Sequence, residues 1–311
     1  MTDLQAARPA SPGASGAGPA SGGAGSRRMR RAGAYAGLLP FLLYVTVFLL
    51  LPTLLVAVGA FQDDQGAPSL SNVAAVVTEQ AFIDAFVRSI QLSVVTALAG
   101  AVLGGLLAWA VASGSAEGQL RHVVVAASGV LAQFGGVMLA FAFLATFGIN
   151  GLVTLVASDW LGLDPQSGSI WVYGMTGLAV VYTYFQLPLM LIVFLPAIEG
   201  LRQEWYDGSA SLGGNSWSFW RHVGGPILAP SFLGAVLLLF ANAFSAYATA
   251  AALISQGSPI VTLQIRSALT SEVILGQANV GKALALGMIV IVSIVMALYA
   301  LVQRRASRWV R

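Results

Sequence analysis

Apolar residues run through this chain in long blocks, and polar residues fall in short clusters between them. Six stretches carry no Asp, Glu, Lys or Arg: residues 32–62, 89–116, 122–158, 165–198, 222–265 and 283–303. Each is longer than the ~20 residues with which a helix crosses ~30 Å of hydrocarbon. Backbone groups in lipid must be satisfied within their own segment, so each stretch is predicted to be mainly helix. The predicted helical cores are 33–61, 89–114, 122–147, 169–197, 228–255 and 283–303. The third and fifth stretches exceed a single crossing. Loop or short-helix excursions are predicted after Phe147 and after Ile254, where Gly, Asn, Asp, Ser and Pro gather.

Composition agrees with this pattern. Of 311 residues, 57% are hydrophobic and 9% charged, against roughly 25% charged in soluble domains. The fold class is an all-α membrane protein with six transmembrane helices. Cysteine is absent, which excludes a disulfide framework, a thiolate metal site and a cysteine nucleophile. The two histidines, His122 and His222, are too far apart to suggest a metal cluster. A net charge of +3 on so apolar a chain points to no nucleic-acid partner; the lipid bilayer is the partner it implies.

Six crossings place both termini on one side. Twelve of the fifteen basic residues then fall on that side: Arg8, Arg27, Arg28, Arg30, Arg31, Arg121, Arg202, Arg221, Arg304, Arg305, Arg308 and Arg311. Arg88, Arg266 and Lys282 fall on the other. Positive charge marks the cytoplasmic face, so both termini are predicted to be cytoplasmic. Residues 1–31 form a small-residue arm, predicted disordered, that ends in the basic run "RRMRR". Residues 32–303 form the transmembrane domain and 304–311 a basic tail. The apolar run after the arm is too long for a cleavable signal.

The longest internal cytoplasmic loop is 199–227. It contains "DGSASLGGNSWSFWRHVGGP", Asp207 to Pro226. Asp207 suits a helix N-cap. Gly208, Ser209, Ala210, Ser211 and Leu212 make about one and a half turns, and Gly213 and Gly214 supply a left-handed stop. Asn215 and Ser216 cap a second helix that carries Trp217, Phe219, Trp220 and Val223, and Pro226 ends it. The residues support two readings. Small side chains let another protein approach a short helix closely, or the tryptophans simply mark the headgroup level.

The spacing here resembles the cytoplasmic loop of inner-membrane permease subunits of binding-protein-dependent ABC importers, the MetI-like permease family. That loop reads Glu-Ala-Ala, three residues, Gly, nine residues, Ile-x-Leu-Pro. Asp207, Gly208 and Ser209 stand at the Glu-Ala-Ala positions, Gly213 at the glycine, and Val223, Gly225 and Pro226 at the Ile, Leu and Pro. "YTYFQLPLMLIVFLPAIEGL", "PILAPSFLGAVLLLFANAFSAYATAAAL" and "FGINGL" are similar to the flanking segments of such permeases. The similarity covers about residues 86–303. Asp replaces Glu, and Gly208 and Gly225 replace apolar residues.

The resemblance implies a type I ABC importer permease fold. It implies two ATPase subunits, a second permease subunit and an extracytoplasmic solute-binding protein. ATP hydrolysis then belongs to the partner subunit, and the chain itself needs no cofactor and no catalytic residue. Asp207, Gly208, Ser209, Ala210, Leu212, Gly213, Gly214, Val223 and Pro226 are the implied ATPase-coupling residues. The chain itself lacks a phosphate-binding Gly-x4-Gly-Lys-Ser/Thr motif. The closest look is to spermidine/putrescine-type permeases; thiamine, ferric iron and phosphonate importers share the architecture.

Polar residues inside the spans are candidates for the translocation path: Gln133, Tyr182, Gln186, Asn242, Ser245, Tyr247 and Thr249. Asn150, Thr183 and Tyr184 are further polar positions there. Asn242, Ser245 and Thr249 are predicted to share one helix face. Helix–helix hydrogen bonding explains such residues equally well. The small residues of "GAVLGGLLAWA" read as close packing. Asp84 and Arg88, spaced i, i+4, are predicted to pair at the outer end of the second helix. With no ionisable residue inside a span, a proton relay is disfavoured, and nothing resembles a hydrolytic site. A stand-alone secondary transporter is the alternative; it predicts an internal repeat, which is not evident.

Overall fold

The computed structural model describes residues 38–63, 65–114, 118–161, 171–254, 257, 259–270 and 277–306. The basic arm and residues 307–311 lie outside them. The chain divides into two units, residues 1–55 and 56–311. What is described of the first is apolar helix whose leucines, phenylalanines and valines are largely exposed, from Leu38 to Leu55. This helix, α1, runs Leu38–Ala60 and widens to a π turn at Thr46–Leu50.

The second unit contains α2 (Ser71–Thr78), α3 (Gln80–Ser113), α4 (Gln119–Gln133), α5 (Gly136–Phe147), α6 (Leu152–Leu161), α7 (Met175–Glu199), α8 (Gln203–Ser211), α9 (Ser216–Ser245), α10 (Ala248–Leu253), α11 (Val261–Thr270) and α12 (Gln277–Ala306). Among the described residues there is no strand, only an isolated antiparallel bridge between Gln62 and Pro68. Among the described residues, six helical runs are long and apolar enough to cross a membrane: Leu38–Ala60, Gln80–Ser113, Gly136–Trp160, Met175–Glu199, Ser216–Ser245 and Ala278–Arg304.

The third of these is broken at 148–151. Packing assigns the crossing differently. α4 lies against the end of α7 that carries Glu199, joined there by an Arg121–Glu199 ion pair. Leu139 and Ala140 of α5 pack with Leu178, Val181 and Tyr182 at the other end. The crossing is therefore made by α4 and α5 together, across a break where Phe134 and Gly135 leave the helix and Gly136 takes φ +68°. The continuous helix predicted for 122–147 is corrected accordingly. The excursions after Phe147 and Ile254 are present, as α6 and α11. The continuous helix predicted for 228–255 also breaks, at Ala246, whose backbone turns extended.

Two apolar clusters stack along α7. One gathers Leu178, Val181, Tyr182 and Phe185 with Ala243, Ala250 and Leu253. The other gathers Met190, Leu191, Phe194 and Leu195 with Ala97, Ala101, Leu228 and Leu239. The order of residues in them shows that α7 and α9 are antiparallel. α3 and α7 form the closest seam. A methyl group on Gly100 would lie 2.7 Å from Gln186 Cβ, and one on Gly104 would lie 2.6 Å from Met190 Cβ and 2.8 Å from the Leu187 carbonyl oxygen. Lipid gives no hydrophobic drive for helices to associate, so close approach over small residues supplies the packing energy instead. The small-residue stretch of α3 does what its composition predicts.

At the end of the unit remote from Glu199, the buried Ser89 hydroxyl accepts from the Val261 N–H at 2.9 Å and so caps the start of α11. Asn279 donates to the Asp63 carbonyl at 3.0 Å, and Lys282 Nζ to Asn279 Oδ1 at 2.9 Å. The predicted Asp84–Arg88 pair is absent among the described residues; Asp84 instead accepts from Gln80 Nε2 at 2.7 Å. An exposed pair has little energy to hold it, and Gln80 occupies the carboxylate from the preceding turn. Arg88 and Lys282 stand at this end; Arg121, Arg202 and Arg221 stand at the other, where α7 gives way to α8.

Candidate functional site

α8 projects from the end of α7 through a short link, Gly200 to Arg202. Arg202 is extended (φ −76°, ψ 136°) and stands at the N-cap. Glu204 in the first turn suits the positive end of the helix. The predicted N-cap at Asp207 is thus corrected: the cap stands five residues earlier, at Arg202, and Asp207 lies inside the helix. Its Oδ1 accepts from Gln203 Nε2 at 3.2 Å, and its carbonyl accepts from the Ser211 hydroxyl at 2.9 Å.

The end of α8 is as the glycines predict. Leu212 is the C-cap, and Gly213 follows at φ +79°. Gly213 N–H donates to the Ala210 carbonyl at 2.9 Å, and Gly214 N–H to the Ser209 carbonyl at 2.9 Å. This reciprocal pair is a Schellman motif, which satisfies carbonyls that the ending helix orphans. Only the first glycine is left-handed. Gly214 is required by proximity: a Cβ there would lie 2.7 Å from Ser209 Oγ and 2.8 Å from its carbonyl oxygen.

Asn215 caps the next helix as predicted, its Oδ1 accepting from Ser218 N–H at 2.8 Å. Pro226 does not end that helix. Ser216–Ser245 is continuous, and a π turn at Trp220–Gly224 precedes the proline. Gly225 N–H donates to the Trp220 carbonyl five residues back. A proline inside an α-helix strikes the carbonyl four residues before it; the wider turn ahead of Pro226 gives that carbonyl room. Val223 is half-buried within the π turn and Pro226 is exposed.

Tyr206 joins the two helices. Its ring meets Phe219 edge-on with centroids 5.3 Å apart, and its hydroxyl lies 3.2 Å from Ser216 Oγ. Sequence reasoning passed over it, although an aromatic on each side of the glycine pair was the available signal. Arg202 stacks over Trp205 at 5.9 Å. What remains uncovered is the outer surface of α8: Asp207, Gly208, Ala210 and Gly213 are exposed, Leu212 is 91% exposed and Trp217 is 71% exposed. Gly208 has open space where a side chain would stand. The nine predicted coupling residues thus lie in one segment, seven in or directly after α8 and two, Val223 and Pro226, within α9.

The seven path candidates are not brought into one lined space. Tyr182 is buried and donates to the Ala246 carbonyl at 2.6 Å. Thr249 is buried and donates to the Gly136 carbonyl at 3.2 Å. Each satisfies backbone at a helix break, which is the packing role. Gln186 is fully buried, and neither of its amide atoms has a hydrogen-bond partner among the described residues. That leaves a cost on the order of 1–3 kcal/mol. Gln133, Asn242, Ser245 and Tyr247 are exposed. The predicted common face of Asn242, Ser245 and Thr249 is corrected: the break at Ala246 ends the periodicity, so only the first two share a face. An apolar cleft of about 380 Å³ is lined by Phe143, Thr176, Ala179, Val180, Thr183, Tyr184 and Leu187. No group of His, Cys, Asp and Glu able to hold a metal occurs among the described residues.

Six membrane-length helical runs among the described residues, with a capped polar helix between the fourth and fifth in chain order, have the architecture of an ABC transporter permease. Comparison with known proteins agrees. Residues 160–308 match the family of binding-protein-dependent transport system inner membrane components. The chain is a multi-pass protein of the bacterial inner membrane.

The thiamine transport system permease protein ThiP of Escherichia coli is 33% identical over 110 residues, 35% of this chain and 20% of that protein. The chain thus spans about a fifth of the curated thiamine relatives it matches. The probable sulfate permease cysT of Nephroselmis olivacea is 24% identical over 208 residues, 66% of this chain and 68% of that one. A spermidine/putrescine permease PotC homologue of Mycoplasma pneumoniae is 29% identical over 96 residues, 31% of this chain and 32% of that one. Among solved structures, a bacterial ABC transporter that imports alginate superposes with a TM-score of 0.69 at 19% identity, over 91% of this chain and 98% of that one.

Proposed function

We propose that this chain is the membrane-spanning permease subunit of an ATP-driven importer, forming part of the path for a small solute. The observation that carries this reading is the loop 199–227. It presents a nine-residue helix, α8, closed by a Schellman motif and ending in a Leu212 side chain that is 91% exposed. An exposed leucine at the tip of a polar loop gains from a partner's groove, and glycine, alanine and serine around it allow close approach. In this reading the loop and both termini face the cytoplasm, where Arg121, Arg202 and Arg221 also stand. α8 couples the permease to two ATPase subunits, and a second permease subunit completes the path. A binding protein delivers the solute from outside. The basic arm and tail flank the permease domain on the cytoplasmic side.

For the solute we propose a polyamine such as spermidine or putrescine, with thiamine, ferric iron or phosphonate as the alternatives. The relative named for spermidine/putrescine supports the polyamine, and those named for thiamine support the first alternative; relatives named for sulfate and for starch degradation products match this chain as well. The test is melting of the cognate binding protein with spermidine, putrescine and thiamine. A shift with thiamine alone, or with none of the three, removes the polyamine reading. The coupling reading is tested by co-purification of the ATPase with the Asp207→Lys and Leu212→Asp variants. Both residues are exposed, so insertion and melting are expected to hold while the ATPase is lost. Retention of the ATPase by both variants defeats the assignment.

A further inference from the structure

Gln186 stands in the seam between α3 and α7, against Gly100; the other buried polar side chains nearby on α3, Ser93 and Thr96, donate to carbonyls of their own helix. The Gln186 side chain has 0% exposure, and its Oε1 and Nε2 are both without a hydrogen-bond partner among the described residues. Its Cβ stands against Gly100, with Leu239 of α9 bordering the same spot. Other polar groups on α7 are satisfied: Tyr182 donates to Ala246 and Thr183 to Ala179. An amide in a dry interior with neither atom paired is less stable there than an apolar side chain of similar size.

The surroundings allow the seam to change. Gly100 and Gly104 present α3 as a smooth surface, with Ala97 and Ala101 beside them, so parting requires no interdigitated side chains to disengage. Two residues beyond Gln186, Pro188 has no N–H to give the Tyr184 carbonyl, which weakens α7 at that point. Gln186 also lies where the two stacked apolar clusters meet, between Phe185 of one and Met190 of the other.

We propose that Gln186 is a switch contact of the transport path: its amide is unpaired while α3 and α7 are closed, and it gains water or a polar solute as partner when they part. This rests on the importer reading, which requires two states, and it names the seam that opens. The amide raises the closed arrangement in energy without touching the open one, so it biases the equilibrium toward opening.

Two measurements test this on the full-length chain. The first is melting of the isolated permease with Gln186→Leu, where a rise of about 2–4 °C is expected. The second uses the absence of native cysteine. Gln186→Cys is placed in the assembled complex and exposed to a water-soluble thiol reagent, read on the permease band. Labelling is expected to quicken at least fivefold with ATP turnover. A parallel Leu212→Cys variant, protected when the ATPase is docked, reports assembly. An unchanged or lowered melting temperature for Gln186→Leu overturns the proposal. So does equal labelling of Gln186→Cys with and without ATP in a complex where Leu212→Cys is protected. If Leu212→Cys is never protected, the coupling reading fails instead, and the melting comparison decides the status of the amide.

Discussion

The Tyr182 hydroxyl donates to the Ala246 carbonyl at 2.6 Å, tying the buried first half of α7 to the gap between α9 and α10. The break at Ala246 frees a backbone acceptor in an interior with little else to offer it, and Tyr182 is the donor that makes the break tolerable. Tyr182→Phe keeps the ring and removes the donor. It should destabilise the protein by about 1–3 kcal/mol, the cost of a buried carbonyl left alone. Thermal melting in detergent measures this. Thr249→Val removes the longer, 3.2 Å bond to the Gly136 carbonyl and should cost less.

The α3–α7 seam makes a prediction of opposite signs for two glycines. Gly104→Ala places a methyl 2.8 Å from a backbone oxygen of α7, which cannot rotate away. The seam must open or shift, at about 1–3 kcal/mol. Gly129, inside α4, has nothing within reach of a Cβ. Gly129→Ala should be neutral or stabilising by up to ~1 kcal/mol, through helix propensity alone. The comparison of the two melting temperatures checks whether contact or propensity governs each site.

The same contrast holds within α8. Gly208 is helical and open on its side-chain side, so Gly208→Ala should firm the helix by up to ~1 kcal/mol. Gly213 is at φ +79°, where any L side chain costs roughly 1–2 kcal/mol. Gly213→Ala should therefore loosen the Schellman turn. Hydrogen exchange reports both: slower at the amides of α8 for the first variant, faster at residues 213 and 214 for the second.

How much of this was legible beforehand follows from the range of the forces. Gly213 as a left-handed stop and Asn215 as a cap are local chemistry, and both were readable from neighbours in sequence. The six crossings were readable from charge alone. The start of α8 was misplaced because Asp207 is a better cap on paper than Arg202, and only the extended backbone after Gly200 decides it. Pro226 read as a stop because nothing in the residues announces a π turn. The break at Ala246, in a run with no glycine or proline, is accommodated by a hydrogen bond from Tyr182, 64 residues away. For the path, polarity alone could not separate Tyr182 and Thr249, which satisfy backbone, from Gln186, which satisfies nothing.

The Arg121–Glu199 ion pair fastens the start of α4 to the last residue of α7, just before the link to α8. Its side chains are 28% and 38% exposed, so water screens the attraction and such a pair contributes about 0–1 kcal/mol. Glu199→Gln should therefore move the melting temperature only slightly, and the difference from the parent should shrink further in 1 M salt, where the screening length is ~3 Å. A large, salt-independent loss would mean that the pair acts as a buried contact. A weak fastening suits its place. Glu199 closes the helix that carries Gln186 and leads through Gly200 into α8, so motion of α8 can draw on α7 without first breaking a strong bond.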